Sequence, residues 1–371
     1  MILFFIRLIS LISLSQFSSS AWAKAEFSSE GEADVHYKKQ LPIYLQHDFG
    51  DVTIQGWNQD LIRVKFKKST TAESEAIASD LFKKFDLISL ETPTSIELRV
   101  GTPPGTDLLT KLRNRQDKKN IKVDLEIKAP ATMNLTLVLG ADIKLKLTQW
   151  KGKVDISGKQ NTVELGKLKL SEPLHMNCPG CSLSLVDSEL SGSILVSDQK
   201  IEIKKTKATP HALLLSAEKA DISLEETQGD YQIRTQSGSV SSLVHQGNLQ
   251  IQTDSGKVKL NSISGDLDVL TQSGSIFVDV KDVKNQLQMK NRDGLIDIEL
   301  PYTFEGDVSL QSLKGEVSTD FLVVRNKNKM QDLYGPELKG RLIGSIGRSN
   351  VNLIAFSENG KILMKQKEMA K

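Results

Sequence analysis

The run Gly229-DYQIRTQS-Gly238-SVSSLVHQ-Gly247-NLQIQTDS-Gly256-KVKLNSIS-Gly265-DLDVLTQS-Gly274 sets six glycines nine residues apart without a slip. Apolar residues follow at the second and fourth positions: Tyr231/Ile233, Leu249/Ile251, Val258/Leu260, Leu267/Val269 and Ile276/Val278. Only the Gly238 unit departs, with Val240 followed by Ser242. Apolar alternation with a period of two marks strands with one buried face, and glycine with polar neighbours marks changes of direction. Every second turn reads Ser-Gly, as in Thr235-Gln-Ser-Gly238, Thr253-Asp-Ser-Gly256 and Thr271-Gln-Ser-Gly274. The full unit is therefore 18 residues with two strands. Such a unit predicts an all-β chain, a flattened β-solenoid whose coils rise by one strand spacing of about 4.8 Å. An antiparallel meander of hairpins is the competing reading; the alternating turn signature favours coils.

The spacing extends outward from this run. Ala220 and His211 continue it backwards, and Asn285, Gly294, Gly306 and Gly315 continue it forwards after small insertions. Asparagine at position 285 fits a turn residue, because both Asn and Gly tolerate positive φ. Gly229, Gly238, Gly247, Gly256, Gly265, Gly274, Asn285 and Gly294 are thus read as structural turn positions. Fainter copies begin at Gly50, Gly152, Asn161 and Gly192. One coil cannot fold alone, since its ladder hydrogen bonds exist only when neighbours lie above and below.

Residues 1–23 carry one basic residue, Arg7, a short apolar run and an Ala21-Trp-Ala23 ending, the pattern of a cleaved secretory signal peptide. Residues 24–371 are then expected to form a single elongated solenoid domain without a transmembrane segment, exported to the periplasm or to the cell surface and beyond. The chain has 48 Lys and Arg against 46 Asp and Glu, so it lacks the basic footprint of a nucleic-acid binder. Aromatic residues are 5%, too few for rows of stacking rings against bases or sugars.

Two segments leave the β pattern. Residues 71–86 read as one short helix, with a capping candidate in Thr71-Ala-Glu-Ser-Glu75 and an apolar face of Ala76, Ile77, Leu81, Phe82 and Phe85. This helix could cover an open end of the solenoid. Residues 102–122 contain Pro103-Pro-Gly105 and the cluster Lys111, Arg113, Arg115, Lys118, Lys119 and Lys122. The cluster could contact an anionic surface, although a solvated loop is the simpler account.

Cys178-Pro-Gly-Cys181, preceded by His175, is the one arrangement with possible chemistry. A redox pair would need a helix N-terminus to stabilise its thiolate, yet Pro-Gly makes a turn and Leu183/Leu185 begin a strand. A metal site would lack a fourth ligand. A local disulfide at a turn is the simplest account. No catalytic, cofactor-binding or metal-binding set of residues emerges, and no cofactor is expected.

Several phrases together resemble a known family. Phe49-GDVTIQGWNQDLIR-Val64, the helix after it, Val123-DLEIKA-Pro130 and the repeated Ser-Gly-x-Val/Ile are similar to the bacterial adhesin-like family of domain of unknown function 4097. The likeness runs over residues 27–365. It implies an exported or envelope-linked β-solenoid and brings no catalytic residue with it. The expected role is a non-catalytic scaffold binding an envelope, surface or extracellular partner. The alternatives are a polysaccharide-acting enzyme on a parallel β-helix and a thiol-redox protein using Cys178 and Cys181.

Overall fold

The computed structural model describes residues 24–37, 41–101, 120–324 and 340–367. The leader, and within 102–122 all the basic residues except Lys122, lie outside the described residues. The chain is a β-solenoid that divides into two compact units, residues 1–182 and 183–371.

In the first unit the elements are β1 Ala25–Val35, β2 Ile43–His47, β3 Val52–Trp57, β4 Ile62–Ala72, helix α1 Glu75–Lys84, β5 Asp86–Glu91, β6 Ile96–Gly101 and β7 Ile121–Pro130. They continue with β8 Leu135–Ala141, β9 Lys144–Thr148, β10 Val154–Lys159, β11 Thr162–Gly166 and β12 Leu174–Cys178. β8, β10 and β12 stack in parallel on one face, and β9 and β11 on the other. Alternate residues such as Leu135, Leu137, Leu145, Leu147, Val163 and Leu165 point inward and are buried. The first coil departs from chain order. β2 lies between β6 and β8, and β3 lies between β7 and β9. Gly50, in the turn from β2 to β3, makes this seat possible. Its φ is +104°, and a Cβ there would stand 2.1 Å from the Val123 carbonyl oxygen.

Beyond β7 the pairing turns antiparallel: β4 adds to β7, β1 to β4, and on the other face β5 adds to β6. α1 crosses between β4 and β5. The sequence expectation of a helix over 71–86 is corrected here. β4 holds its inward alternation through Phe66, Lys68, Thr70 and Ala72 and stays paired with β1 up to Ala25, so the helix begins only at Glu75. Ser74 is the cap, its side chain accepting the Ile77 N–H. The buried face is Ala78, Leu81 and, just past the helix, Phe85, whereas Ala76 and Ile77 are exposed. Lys68 points inward and donates from Nζ to the Phe82 carbonyl at 3.1 Å, satisfying one of the helix's orphan C-terminal acceptors.

In the second unit the register follows the 18-residue repeat. Val240 pairs with Val258, and Leu249 with Leu267, both in parallel, which excludes the hairpin meander. Insertions lengthen the step where the spacing slips, with Ile276 opposite Ile296 and Leu267 opposite Leu287. Gly238, Gly256, Gly274 and Gly294 have φ between +109° and +136° and stack one on another. A Cβ on Gly256 would stand 2.0 Å from the Gly238 carbonyl oxygen. Asn285 is a correction: it is not among the positive-φ residues. Its backbone N–H and Nδ2 instead donate to the Asp266 carboxylate at 2.7 and 2.8 Å, so an acceptor in the coil below, not a left-handed backbone, explains it.

This unit too ends out of chain order. Asn352–Ser357 pairs on one side with Gln286–Asp293 and on the other with Gly306–Ser312. Ile362–Gln366 likewise lies between Ile296–Leu300 and Val317–Thr319. Arg341–Ile346 then adds antiparallel to Gly306–Ser312. The final coil is inserted between two coils that precede it in the chain.

Candidate binding surface

The parallel register turns the outward residues of the second unit into columns one strand spacing apart. Gln232, Gln250, Asp268, Gln288 and Ile354 stand in one column, and Arg234, Gln252, Leu270, Lys290 and Phe356 in the next. Four of these ten outward residues are glutamines, three are charged (Arg234, Asp268 and Lys290) and three are apolar, with Ile354 and Phe356 side by side on one strand. On the opposite face Lys257 lies over the Phe277 ring, 4.5 Å from its centroid.

The corner of the same unit carries a feature no sequence signal announced. Asp187, Lys205, Glu226, Val244 and Ser262 all have φ between +48° and +65°. Val244 matters most, since a β-branched residue disfavours this region strongly. Each bends the chain so that the next residue turns inward: Ser188, Thr206, Thr227, His245 and Ile263 are all buried. A shallow groove of about 480 Å³ runs along these corners, edged by Glu189, Lys207 and Gln228 among others.

Beneath it lies a small polar network. The Thr227 hydroxyl and His245 Nδ1 share a hydrogen bond of 2.9 Å, and the Tyr231 hydroxyl donates to the Thr206 carbonyl at 3.0 Å. The Tyr231 and His245 rings meet edge to face at 5.4 Å. Burial pushes the His245 imidazole down to about 4 and the Tyr231 phenol well above its usual range. Near neutral pH both are therefore uncharged.

Cys178 and Cys181 are joined by a disulfide across Pro179-Gly180, and both are buried. The Asn161 backbone N–H donates to Cys181 Sγ at 3.1 Å, while Asn161 Oδ1 accepts the Ile143 N–H at 2.9 Å. The bridge thus sits in the stack of turns. His175 lies on the outer side of β12, whose Met176 and Cys178 point inward, so the imidazole and the two sulfurs do not converge.

Of the basic cluster, Lys111, Arg113, Arg115, Lys118 and Lys119 lie outside the described residues. Lys122 is corrected from loop to strand, being the second residue of β7. Its Nζ pairs with Asp51 Oδ2 at 2.9 Å and Asp124 Oδ1 at 3.1 Å. Alternation explains this: Lys122, Asp124 and Glu126 share the outer side of one strand.

The Toastrack DUF4097 family matches residues 114–341. No curated protein matches the chain. A crystal structure of a candidate cell adhesion protein from Clostridium sporogenes is similar at 13% identity, over 92% of this chain and 100% of that one. Its TM-score is 0.19.

Proposed function

The chain belongs to the Toastrack DUF4097 family, and from that premise and the geometry above we propose that it is an exported, non-catalytic scaffold of the cell envelope or surface. It binds an extended polar partner along its stacked outer faces. The observation that carries this reading is the Gln-containing lattice of the second unit, which repeats its outward polar groups strand after strand where an enzyme needs convergent groups. Among the described residues no helix is long and apolar enough to cross a membrane.

Export is tested by mass spectrometry of the native protein, which should begin at Lys24, or at Glu26 if the alternative Ala-x-Ala is cut. Binding is tested by presenting purified protein to separated envelope polysaccharide, lipid and protein fractions. One fraction should retain it, and Gln250→Arg with Gln252→Arg should weaken retention at least tenfold without changing the melting temperature. Release of new reducing ends from the polysaccharide fraction would overturn the non-catalytic reading.

A further inference from the structure

The strand β1 pairs over its whole length with β4, from Ala25 opposite Ala72 to Val35 opposite Ile62. Among the described residues nothing pairs with its other edge. An open edge of 11 residues is long, about 36 Å at 3.3 Å per residue. Sheets blunt such edges with charged side chains, proline or a bulge. β1, with the sequence AEFSSEGEADV, has no proline and no bulge, and its charges are all acidic, which repels a like strand but not a basic one.

Its outward side is acidic. Glu30, Glu32 and Asp34 stand opposite Lys67, Lys65 and Arg63 of β4. Lys67 and Lys65 in turn stand opposite Asp124 and Glu126 of β7. The order across the sheet is acid, base, acid. The contacts are direct: Arg63 Nε reaches Asp34 Oδ1 at 2.8 Å and Glu32 Oε1 at 3.0 Å, and Lys67 Nζ reaches Glu30 at 3.8 Å. Arg63 holds the Asp34 carboxyl below its ordinary value. The alternation stops on the acidic strand, with its carboxylates still 37–69% exposed. The inward side of β1 meets a cleft of about 380 Å³ lined by Phe27, Ala78 and Phe82, with the Lys68 ammonium at its wall.

We propose that the open edge of β1 is a docking site for an extended segment of a partner protein, with basic residues at alternate positions and apolar residues between them. The partner adds as one more strand. Its backbone takes the unpaired groups of β1, its cations continue the charge alternation, and its apolar side chains enter the cleft beside Phe27 and Phe82. β4 already shows the pattern that β1 accepts: Arg63, Lys65 and Lys67 outward, Ile62, Val64 and Phe66 inward. A second copy of β1 would instead oppose carboxylate to carboxylate. The inference deepens the scaffold reading by naming one partner class, but it uses a different surface from the Gln lattice.

The test is fluorescence anisotropy of a labelled peptide, IRVKFKKS, copying Ile62–Ser69, titrated with the purified protein. Saturable binding is expected that weakens as salt rises. The control peptide carrying R63E, K65E and K67E should bind at least tenfold more weakly. Ser28→Pro and Ser29→Pro, made separately, remove N–H groups facing opposite edges of the strand. The one that keeps the melting temperature removes a free-edge donor and should weaken the peptide at least fivefold. Equal binding of the two peptides, binding unchanged in the edge variant, or no saturable binding would each overturn the proposal. If the edge fails while the Gln250/Gln252 variant still loses retention on envelope fractions, the scaffold reading stands without it.

Discussion

The regular coils of the second unit and the coils at the chain's two extremes obey different rules. Between Val240 and Asp282 each strand stacks on the one 18 residues earlier, so neighbours in the stack are neighbours in the chain. The β2–β3 coil and the coil of residues 352–366 are instead each pinched between two coils that follow one another in the chain but do not adjoin the inserted coil in it. The difference separates two things that a repeat is often taken to encode together. Periodicity encodes the shape of one coil; the order of coils is a separate choice, made where a turn can be seated against another turn's carbonyls. Inserting a terminal coil gives it ladder hydrogen bonds on both edges. The position left at the end of the stack is then closed by antiparallel strands, which break the regular parallel edge.

The largest effect should come from the glycine stack of the regular coils. Gly256→Val combines a φ of +131° with a Cβ 2.0 Å from the Gly238 carbonyl oxygen, so chemical denaturation should show a loss of about 3 kcal/mol or more. An unchanged midpoint would make the residue a mere spacer. His245 sharpens the comparison in the same coils, where it sits in register between Thr227 and Ile263. Its folded pKa of about 4 lies below the unfolded 6.5, so the unfolded chain binds the proton more tightly. Stability is therefore full above pH 6.5 and falls as pH drops from 6.5 toward 4, by roughly 2–3 kcal/mol. His245→Gln should flatten that window, and an equally steep fall in the variant would place the titration elsewhere. The smallest effect belongs to Asn285→Ala, which removes one side-chain bond to Asp266 and should cost about 1 kcal/mol. A loss as large as that of Gly256→Val would restore a left-handed backbone at residue 285.

The coil was legible in the sequence because the two inward residues that open each strand, from Tyr231 to Val278, are apolar with the exception of Ser242, and the turn before each strand carries glycine. The order of stacking was not, because residues 352–366 offer the same alternation, Leu353 and Ala355, then Ile362 and Met364, to any neighbouring coil. The corner residues Glu226, Val244 and Ser262 were equally hidden. Their side chains do not favour positive φ, and only the packing of Thr227 and His245 below imposes it. The helix start was misplaced because the strand before it also contains threonine and alanine, and pairing with β1 outweighs local helical preference. For binding, the Gln-rich outward positions were readable as polar, but their grouping into columns needed the register. The acidic edge of β1 needed knowledge of which strand is last.

The inserted coil is tested most directly by cross-linking in the second unit; the chain's own cysteines, Cys178 and Cys181, lie in the first unit and are already joined, so they do not interfere. Gln288 stands opposite Ile354, and Ile354 opposite Ser309, on adjacent parallel strands. Direct opposition brings Cα atoms within disulfide reach, whereas two strand spacings, about 9.6 Å, exceed it. Under mild oxidation the Gln288→Cys/Ile354→Cys protein should form its bridge readily, and the Gln288→Cys/Ser309→Cys protein should remain reduced. The opposite result, a bridge between residues 288 and 309 with none between 288 and 354, would mean that the coils stack in chain order and would contradict the account.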